Sequence, residues 1–214
     1  MTDARTAEMA KLTENAYRDV NIAFANELSV ISDGLDINVW ELIKLANHHP
    51  RVNILQPGPG VGGHCIAVDP WFIVATAPDQ SSLIRTAREV NDSKPGYVLD
   101  KLLPQARRIQ DVQIAALGLA FKPNIDDLRE SPARQIVGRL ADELPDANIM
   151  AVEPNIDQLP SELEERDNVT LTEVNEAIRA ADIVLLLVDH NEFTRIDRTL
   201  LTQKIVHDTR GVWG

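Results

Sequence analysis

Val112–Phe121 reads VQIAALGLAF, and the fold of the chain follows from this run. It carries no charge, and all of its residues except Gln113 and Gly118 are apolar. A strand with one wetted face alternates apolar and polar residues; this one is apolar at consecutive positions. That predicts a strand buried on both faces, as in a parallel sheet covered by helices. The stretches after it continue the pattern. Residues 131–144 read as a helix, with Ser131 as N-cap and Pro132 as first helical residue. Residues 147–152 read as a strand, 173–180 as a helix, 182–188 as a central strand and 204–207 as a last strand. Alternating strands and helices predict a mostly parallel sheet with helical crossovers.

Upstream of Val112 the pattern is helical. In residues 6–33, Leu12, Ala16, Val20, Ala23, Phe24, Leu28 and Ile31 recur three or four apart, which predicts one long helix. Gly34 ends it, and Asp36 or Asn38 caps a second helix running to about His48. Residues 71–77 form a short helix. A longer one runs from about Ser81 to Ile109, where Pro95 and Pro104 are expected to kink or break it. The predicted fold class is α/β, with an all-helical domain over residues 1–110 and a Rossmann-like parallel α/β domain over 111–214. Ile22, Phe24, Leu28, Val30 and Ile31 cover more than one face of the first helix. It is therefore expected to pack on its own domain and on a two-fold mate.

Between the second and third helices lies Gln56–Pro70, QPGPGVGGHCIAVDP. Glycines at 58, 60, 62 and 63 let the backbone approach a ligand closely, and Pro57 and Pro59 stiffen the loop. Cys65 is the only cysteine, and Asp69-Pro70 reads as an N-cap and first helical residue. A helix N-terminus beside Cys65 favours the thiolate. Without context a lone cysteine is more often a small buried hydrophobe and a Gly/Pro run more often a surface turn. Their meeting, with a carboxylate one turn away, brings a nucleophilic role to about even odds. Lys11 and Asn15 share a helix face at i and i+4, and Asp19 extends the stripe; taken alone, such a stripe is more often solvated.

Composition narrows the function classes. The chain has 214 residues, 44% hydrophobic and 25% charged, with net charge −12 from 33 acidic and 21 basic residues. Such an excess of acid speaks against a nucleic-acid groove. It also requires that an anionic ligand be met by local donors. No apolar stretch is long enough for a transmembrane helix, and MTDARTAEMAKL lacks the segments of a signal peptide. With one cysteine no internal disulfide forms. These features together predict a cytoplasmic protein with no membrane partner. Gly118 is the only glycine of its turn, so the Gly-x-Gly-x-x-Gly dinucleotide fingerprint is missing.

GPGVGGHCIAVDP resembles the catalytic-cysteine signature of the UDP-glucose/GDP-mannose dehydrogenase family. Within it, GHCIAVDPWFI is similar to the UDP-N-acetyl-D-mannosamine branch. The resemblance continues through KLTEN, LIRTAREVND, GLAFKPNIDDLRESPA, VEPNI, LLVDH and DTRGVW, nearly the whole chain. It implies a four-electron, NAD-dependent oxidation of a sugar C6 alcohol through a Cys65 thioester, yielding a uronate used in surface polysaccharides. Lys11 and Asn15 would bind water and stabilise the oxyanion, and Asp69 would assist proton transfer with Lys11. The glycine loop (Gly58, Gly60, Gly62, Gly63), Arg51 from a neighbouring subunit, Lys122 and Arg210 would bind the UDP-sugar. Arg129 would reach the NAD cofactor, and no metal is implied. The family's NAD-binding domain has no counterpart in this chain, so the NAD site is expected mostly outside it. The alternative expectation is a UDP-sugar-binding and dimerisation module without catalysis of its own.

Overall fold

The computed structural model describes residues 3–213 and divides the chain into two compact units, residues 1–94 and 95–214. Residues 1, 2 and 214, the outer limits of the two expected domains, lie outside the described residues. The order is α1 (Ala4–Gly34), α2 (Val39–Ala46), α3 (Asp69–Thr76), α4 (Ser82–Ala106), β1 (Gln113–Leu117), α5 (Pro132–Glu143), β2 (Asn148–Val152), α6 (Ser161–Glu164), β3 (Val169–Leu171), α7 (Val174–Ala180), β4 (Ile183–Leu186), α8 (Asn191–Thr194), a 3-10 turn (Arg198–Leu201) and β5 (Ile205–Asp208).

In the first unit, the Asp3 side chain caps α1 by accepting from Thr6 N–H. Asn38 caps α2, its Oδ1 accepting from the N–H groups of Trp40 and Glu41 at 3.0 Å each. The apolar core here is small: Ala25, Val39 and Ile43, with Leu28, Trp40 and Ile54 against them. Much of the buried face of α1 is polar or small instead, namely Asn15, Ala16, Asp19, Ala23, Ala25, Asn26 and Ser32. Several large apolar side chains face outward: Tyr17, Phe24 and Ile31 are 68%, 51% and 50% exposed. Phe24 and Ile31 thus stand on the outer of the faces that the apolar residues of α1 cover, because polar groups that pair with α3, α4 and the glycine loop take the inner face.

Two further expectations change. Asp69 is not an N-cap: Val68 holds that position without a side-chain cap bond. Asp69 N–H already donates to Cys65 C=O at 2.7 Å, so Asp69 lies inside the helix with its carboxylate free to pair elsewhere. Nor do the prolines break α4, which is continuous over Ser82–Ala106 with Pro95 and Pro104 inside it. The two compact units meet at Lys94–Pro95, within α4. The cause is packing: Val98, Leu99, Leu102 and Ala106 belong to the core of the second unit.

That unit is a five-stranded sheet in the order β3-β2-β1-β4-β5, every pair parallel. Alternate residues of each inner strand enter separate cores. Ile114, Ala116, Ile149, Ala151, Ile183 and Leu185 pack on one face. Ala115, Leu117, Met150, Val152, Val184 and Leu186 pack on the other. Burial on both faces is why β1 reads as an unbroken apolar run. Ser131 caps α5 as expected, its side chain accepting from Arg134 N–H, with Pro132 opening the helix.

Gly118 ends β1 with φ +95, and its N–H donates to Val152 C=O at 2.8 Å. A Cβ there would stand 2.4 Å from Val188 Cβ and 3.0 Å from Val188 N. Gly118→Ala is therefore expected to cost about 3 kcal/mol or more, from overpacking plus positive φ. Gly34→Ala, whose Cβ meets nothing within 4 Å, should change stability by no more than about 1 kcal/mol. Urea unfolding of both variants checks the pair.

Lys94 is buried, and its Nζ donates to Ser29 Oγ at 2.8 Å. Burial pulls the ammonium pKa from 10.5 to about 8, although the Asp33 charge opposes it. Between those values the folded chain binds fewer protons than the unfolded chain, so stability rises with pH across that window. The rise due to Lys94 is at most about 3 kcal/mol. In Lys94→Met it should disappear. Urea unfolding of both proteins between about pH 8 and 10.5 tests this; parallel pH profiles would contradict it.

Candidate functional site

Two groups of residues build the candidate sites, one on each unit. In the first unit the glycine loop is drawn inward: Pro57, Gly58, Pro59 and Gly63 are buried. Gly63 has φ 87, a conformation a side chain would strain. Gly58 N–H donates to Asn26 Oδ1 at 2.9 Å, and Asn26 Nδ2 donates to Asn91 Oδ1 at 2.9 Å. Asn91 Nδ2 in turn donates to Asp19, at 3.0 Å to its carbonyl and 2.8 Å to its carboxylate. Arg88 completes the chain, donating to Asp19 Oδ1 at 2.6 Å and also pairing with Asp92. Asn26, Asn91, Asp19 and Arg88 are all buried. Burial raises the Asp19 pKa above the ordinary carboxylate value, against the lowering pull of Arg88 and Asn91. Burying four polar side chains is tolerable because each meets a partner.

The loop then delivers Cys65, a half-buried free thiol, to the turn directly before α3. Cys65 C=O accepts from Val68 and Asp69 N–H at 3.1 and 2.7 Å. The Asp69 carboxylate accepts from Asn15 Nδ2 at 2.6 Å. Cys65, Asp69 and Asn15 are thus brought to one junction of loop, α3 and α1. Lys11 is not tied to it: its ammonium is exposed and pairs with Glu14 at 3.2 Å. Arg51 is exposed on the segment leading into the loop, its N–H bonded to His49 Nδ1 at 3.2 Å. Gly60 and Gly62 are half-buried in the loop.

In the second unit the sites gather at the carboxyl ends of β1, β2, β4 and β5. The strand order reverses between β1 and β4, the place where open α/β sheets receive ligands. Lys122 is exposed on the loop after β1, its Nζ 5.6 Å from the centre of the Phe121 ring. Arg210 follows β5 and donates to Asp189 Oδ1 at 2.8 Å. Its loop is held by the Asp208 carboxylate, which accepts from the N–H groups of Arg210, Gly211 and Trp213 at 2.7–2.9 Å. Arg129 lies on the same loop as Lys122 and grips Asp127 through Nε and an outer nitrogen at 2.6–3.1 Å.

Beneath these cations lies a cluster that sequence reasoning missed. Glu153, directly after β2, is buried, and its Oε2 accepts from Leu119 and Ala120 N–H at 2.8 and 3.0 Å. His190 Nε2 stands 3.0 Å from the same oxygen. Burial pushes the Glu153 carboxyl up, but bonds from His190, Leu119 and Asn155 outweigh it and hold the pKa below the ordinary glutamate value. The VEPNI and LLVDH strings contained both residues. An acid directly after an apolar strand was the available signal. This arrangement does not fit a dinucleotide: the turn has one glycine, and a carboxylate already takes the amides that would meet a pyrophosphate. Among the described residues, no group of three or more His, Cys, Asp or Glu could hold a metal ion. No described helix is long and apolar enough to cross a membrane.

Comparison with known proteins agrees with this division. Residues 5–93 match the central domain of the UDP-glucose/GDP-mannose dehydrogenase family, and residues 115–214 match its UDP-binding domain. An NDP-N-acetyl-D-galactosaminuronic acid dehydrogenase of Ralstonia solanacearum is 61% identical over 100% of this chain and 49% of its own length. A UDP-N-acetyl-D-mannosamine dehydrogenase of Campylobacter jejuni is 62% identical over 92% of this chain and 48% of its own. Among solved structures, the UDP-N-acetyl-mannosamine dehydrogenase from S. aureus superposes with TM-score 0.82 at 45% identity, over 99% of this chain and 49% of that one. The chain spans about half the length of the curated relatives it matches. On both the sequence match and the fold, this chain belongs to the UDP-glucose/GDP-mannose dehydrogenase family.

Proposed function

We propose that this chain supplies the nucleophile and the nucleotide-sugar-binding surface of an enzyme oxidising the C6 alcohol of UDP-N-acetyl-D-mannosamine to the carboxylate. The observation that supports the reading most is the junction of Cys65, Asp69 and Asn15, with Asn15 bonded to Asp69 at 2.6 Å and Asp69 N–H to Cys65 C=O at 2.7 Å. A nucleophile, an acid–base group and an amide donor on one rigid corner suit acyl chemistry at an aldehyde. The Cys65 thiolate adds to the C6 aldehyde, forming a C–S bond while the oxygen takes a proton. After oxidation to the thioester, water attacks the carbonyl, the C–S bond breaks, and the thiolate leaves. Asp69 accepts the proton from that water, and Asn15 orients the carboxylate. NAD, the oxidant implied by the family resemblance, would accept hydride; the described residues offer no dinucleotide cradle, so it would be bound outside them.

Lys122 and Arg210 are the cations proposed to meet the diphosphate, and the glycine loop and Arg51 are proposed to line the sugar. Calorimetry should detect UDP binding to the chain, weakened roughly tenfold in Lys122→Ala, the order expected for one charge-assisted contact. In Cys65→Ser it should be unchanged. Absence of heat at millimolar UDP would count against the reading. A second reading, a binding module without turnover, is favoured by the second unit enclosing cores on both sheet faces by itself. Incubation with NAD, a separately supplied NAD-binding domain of the family and UDP-N-acetylmannosamine, or UDP-N-acetylgalactosamine, separates the two: NADH forms only in the first.

A homodimer through α1 is proposed on the strength of its outward stripe. Tyr17, Phe24 and Ile31 are seven residues apart and exposed, the spacing of a helix–helix seam. Sedimentation at micromolar concentration should give a dimer, and Phe24→Glu a monomer. A monomer in both would contradict the assignment.

A further inference from the structure

Among the described residues of the second unit, only Ser131, Glu153 and His190 are buried polar or charged groups. Ser131 is explained as the cap of α5. The other two sit side by side at the ligand end of a sheet whose buried positions are otherwise apolar. A buried ion-capable pair is seldom more stabilising than apolar residues of the same volume, so stability alone does not explain it. Its bonds show what it holds. Asn124 N–H donates to His190 Nδ1 at 2.9 Å. A backbone N–H can only donate, so Nδ1 accepts, the ring proton is on Nε2, and Nε2 donates to Glu153 Oε2.

The two residues therefore pin the loop after β1 at three successive points. Glu153 takes the N–H groups of Leu119 and Ala120, and His190 takes that of Asn124. Asn124 has φ 62 and passes the constraint onward, its Oδ1 accepting from Asn191 N–H at 3.0 Å. Lys122 lies between the pinned points. Asn155 braces the pair from outside, its Nδ2 lying 2.9 Å from Glu153 Oε1 and 3.2 Å from His190 Nδ1. Asp189, next to His190, holds Arg210. One dipeptide after β4 is thus tied to both cations proposed for the diphosphate.

We propose that Glu153 and His190 are positioning residues for a nucleoside-diphosphate subsite, fixing the loop that presents Lys122. The Glu153 carboxylate is a resident anion that occupies the strand-end amides and leaves the ligand's phosphates to the side-chain cations. The inference rests on the nucleotide-binding reading above.

The test is calorimetric titration of UDP into the chain and its variants, with circular dichroism as a check on folding. His190→Leu should weaken UDP several-fold, up to the roughly tenfold loss of Lys122→Ala, and His190→Gln, which keeps an acceptor and a donor, should recover part of the loss. Added to Lys122→Ala, His190→Leu should cause little further weakening, because a mispositioned lysine and a missing one are the same defect. Binding within twofold of the unaltered chain, or losses that multiply in the double variant, would overturn the proposal. If His190→Leu does not fold, Asn155→Ala, at an exposed position, decides. It should weaken UDP several-fold in the native background and not in Lys122→Ala, and unchanged binding would again overturn the proposal. No UDP binding by the unaltered chain would instead remove the nucleotide reading itself, and this inference with it.

Discussion

A carboxylate taken out of water must be surrounded by donors, and each unit of this chain is arranged about one such group. In the helical unit it is Asp19, met by Arg88 and Asn91. In the sheet unit it is Glu153, met by two backbone amides and His190. Neither lies in an apolar core cluster. Glu153 bonds directly to the backbone of a loop that carries candidate chemistry, and Asp19 reaches the other such loop through Asn91 and Asn26. Rigidity at the site is obtained from polar satisfaction, which is directional, where apolar packing is not.

The helical unit shows the consequence most clearly. With Asn15, Asp19 and Asn26 turned inward, α1 has little room to bury large apolar side chains on the same face. They emerge on the other side, and the enclosed apolar core is small. A unit built this way depends on its polar network for specificity and on an external surface for further burial, which is the physical ground for the dimer proposed above. The sheet unit is the opposite case. Its strands are apolar on both faces and its two cores are internally complete. Its buried charge-capable side chains, Glu153 and His190, follow the carboxyl ends of β2 and β4, where a ligand would meet them.

The nucleophile loop joins these themes. Pro57 and Pro59 limit its conformations before any tertiary contact forms, and Gly58 lacks a side chain that would keep its amide from Asn26. The bond from Gly58 to Asn26 then links the loop to α4 through Asn91. Changes along α1 or α4 far from the loop in sequence are thereby connected to it through named hydrogen bonds, not through proximity alone.

The sequence by itself determined the class of fold and the order of the longer elements; β3, α6, α8 and the 3-10 turn, of three or four residues each, carry too little periodicity to read. The unbroken apolar run at β1, the Ser131-Pro132 helix start and the Gly/Pro loop ahead of Cys65 are local signals, readable because secondary structure and turn chemistry depend on near neighbours. The identity of Cys65, Asp69 and Asn15 as a group was legible only through resemblance, since no local rule joins residues 50 positions apart. Tertiary structure decided the rest. It turned the apolar stripe of α1 outward, because Asn15, Asp19 and Asn26 had partners inside. It carried α4 through two prolines and divided it at Lys94–Pro95, because its later turns found the sheet core. It left Lys11 paired with Glu14, and it assembled Glu153, His190 and Asn124 from three separate strand ends. Those outcomes depend on which groups meet across long stretches of chain, and a buried polar group's role is set by its partners.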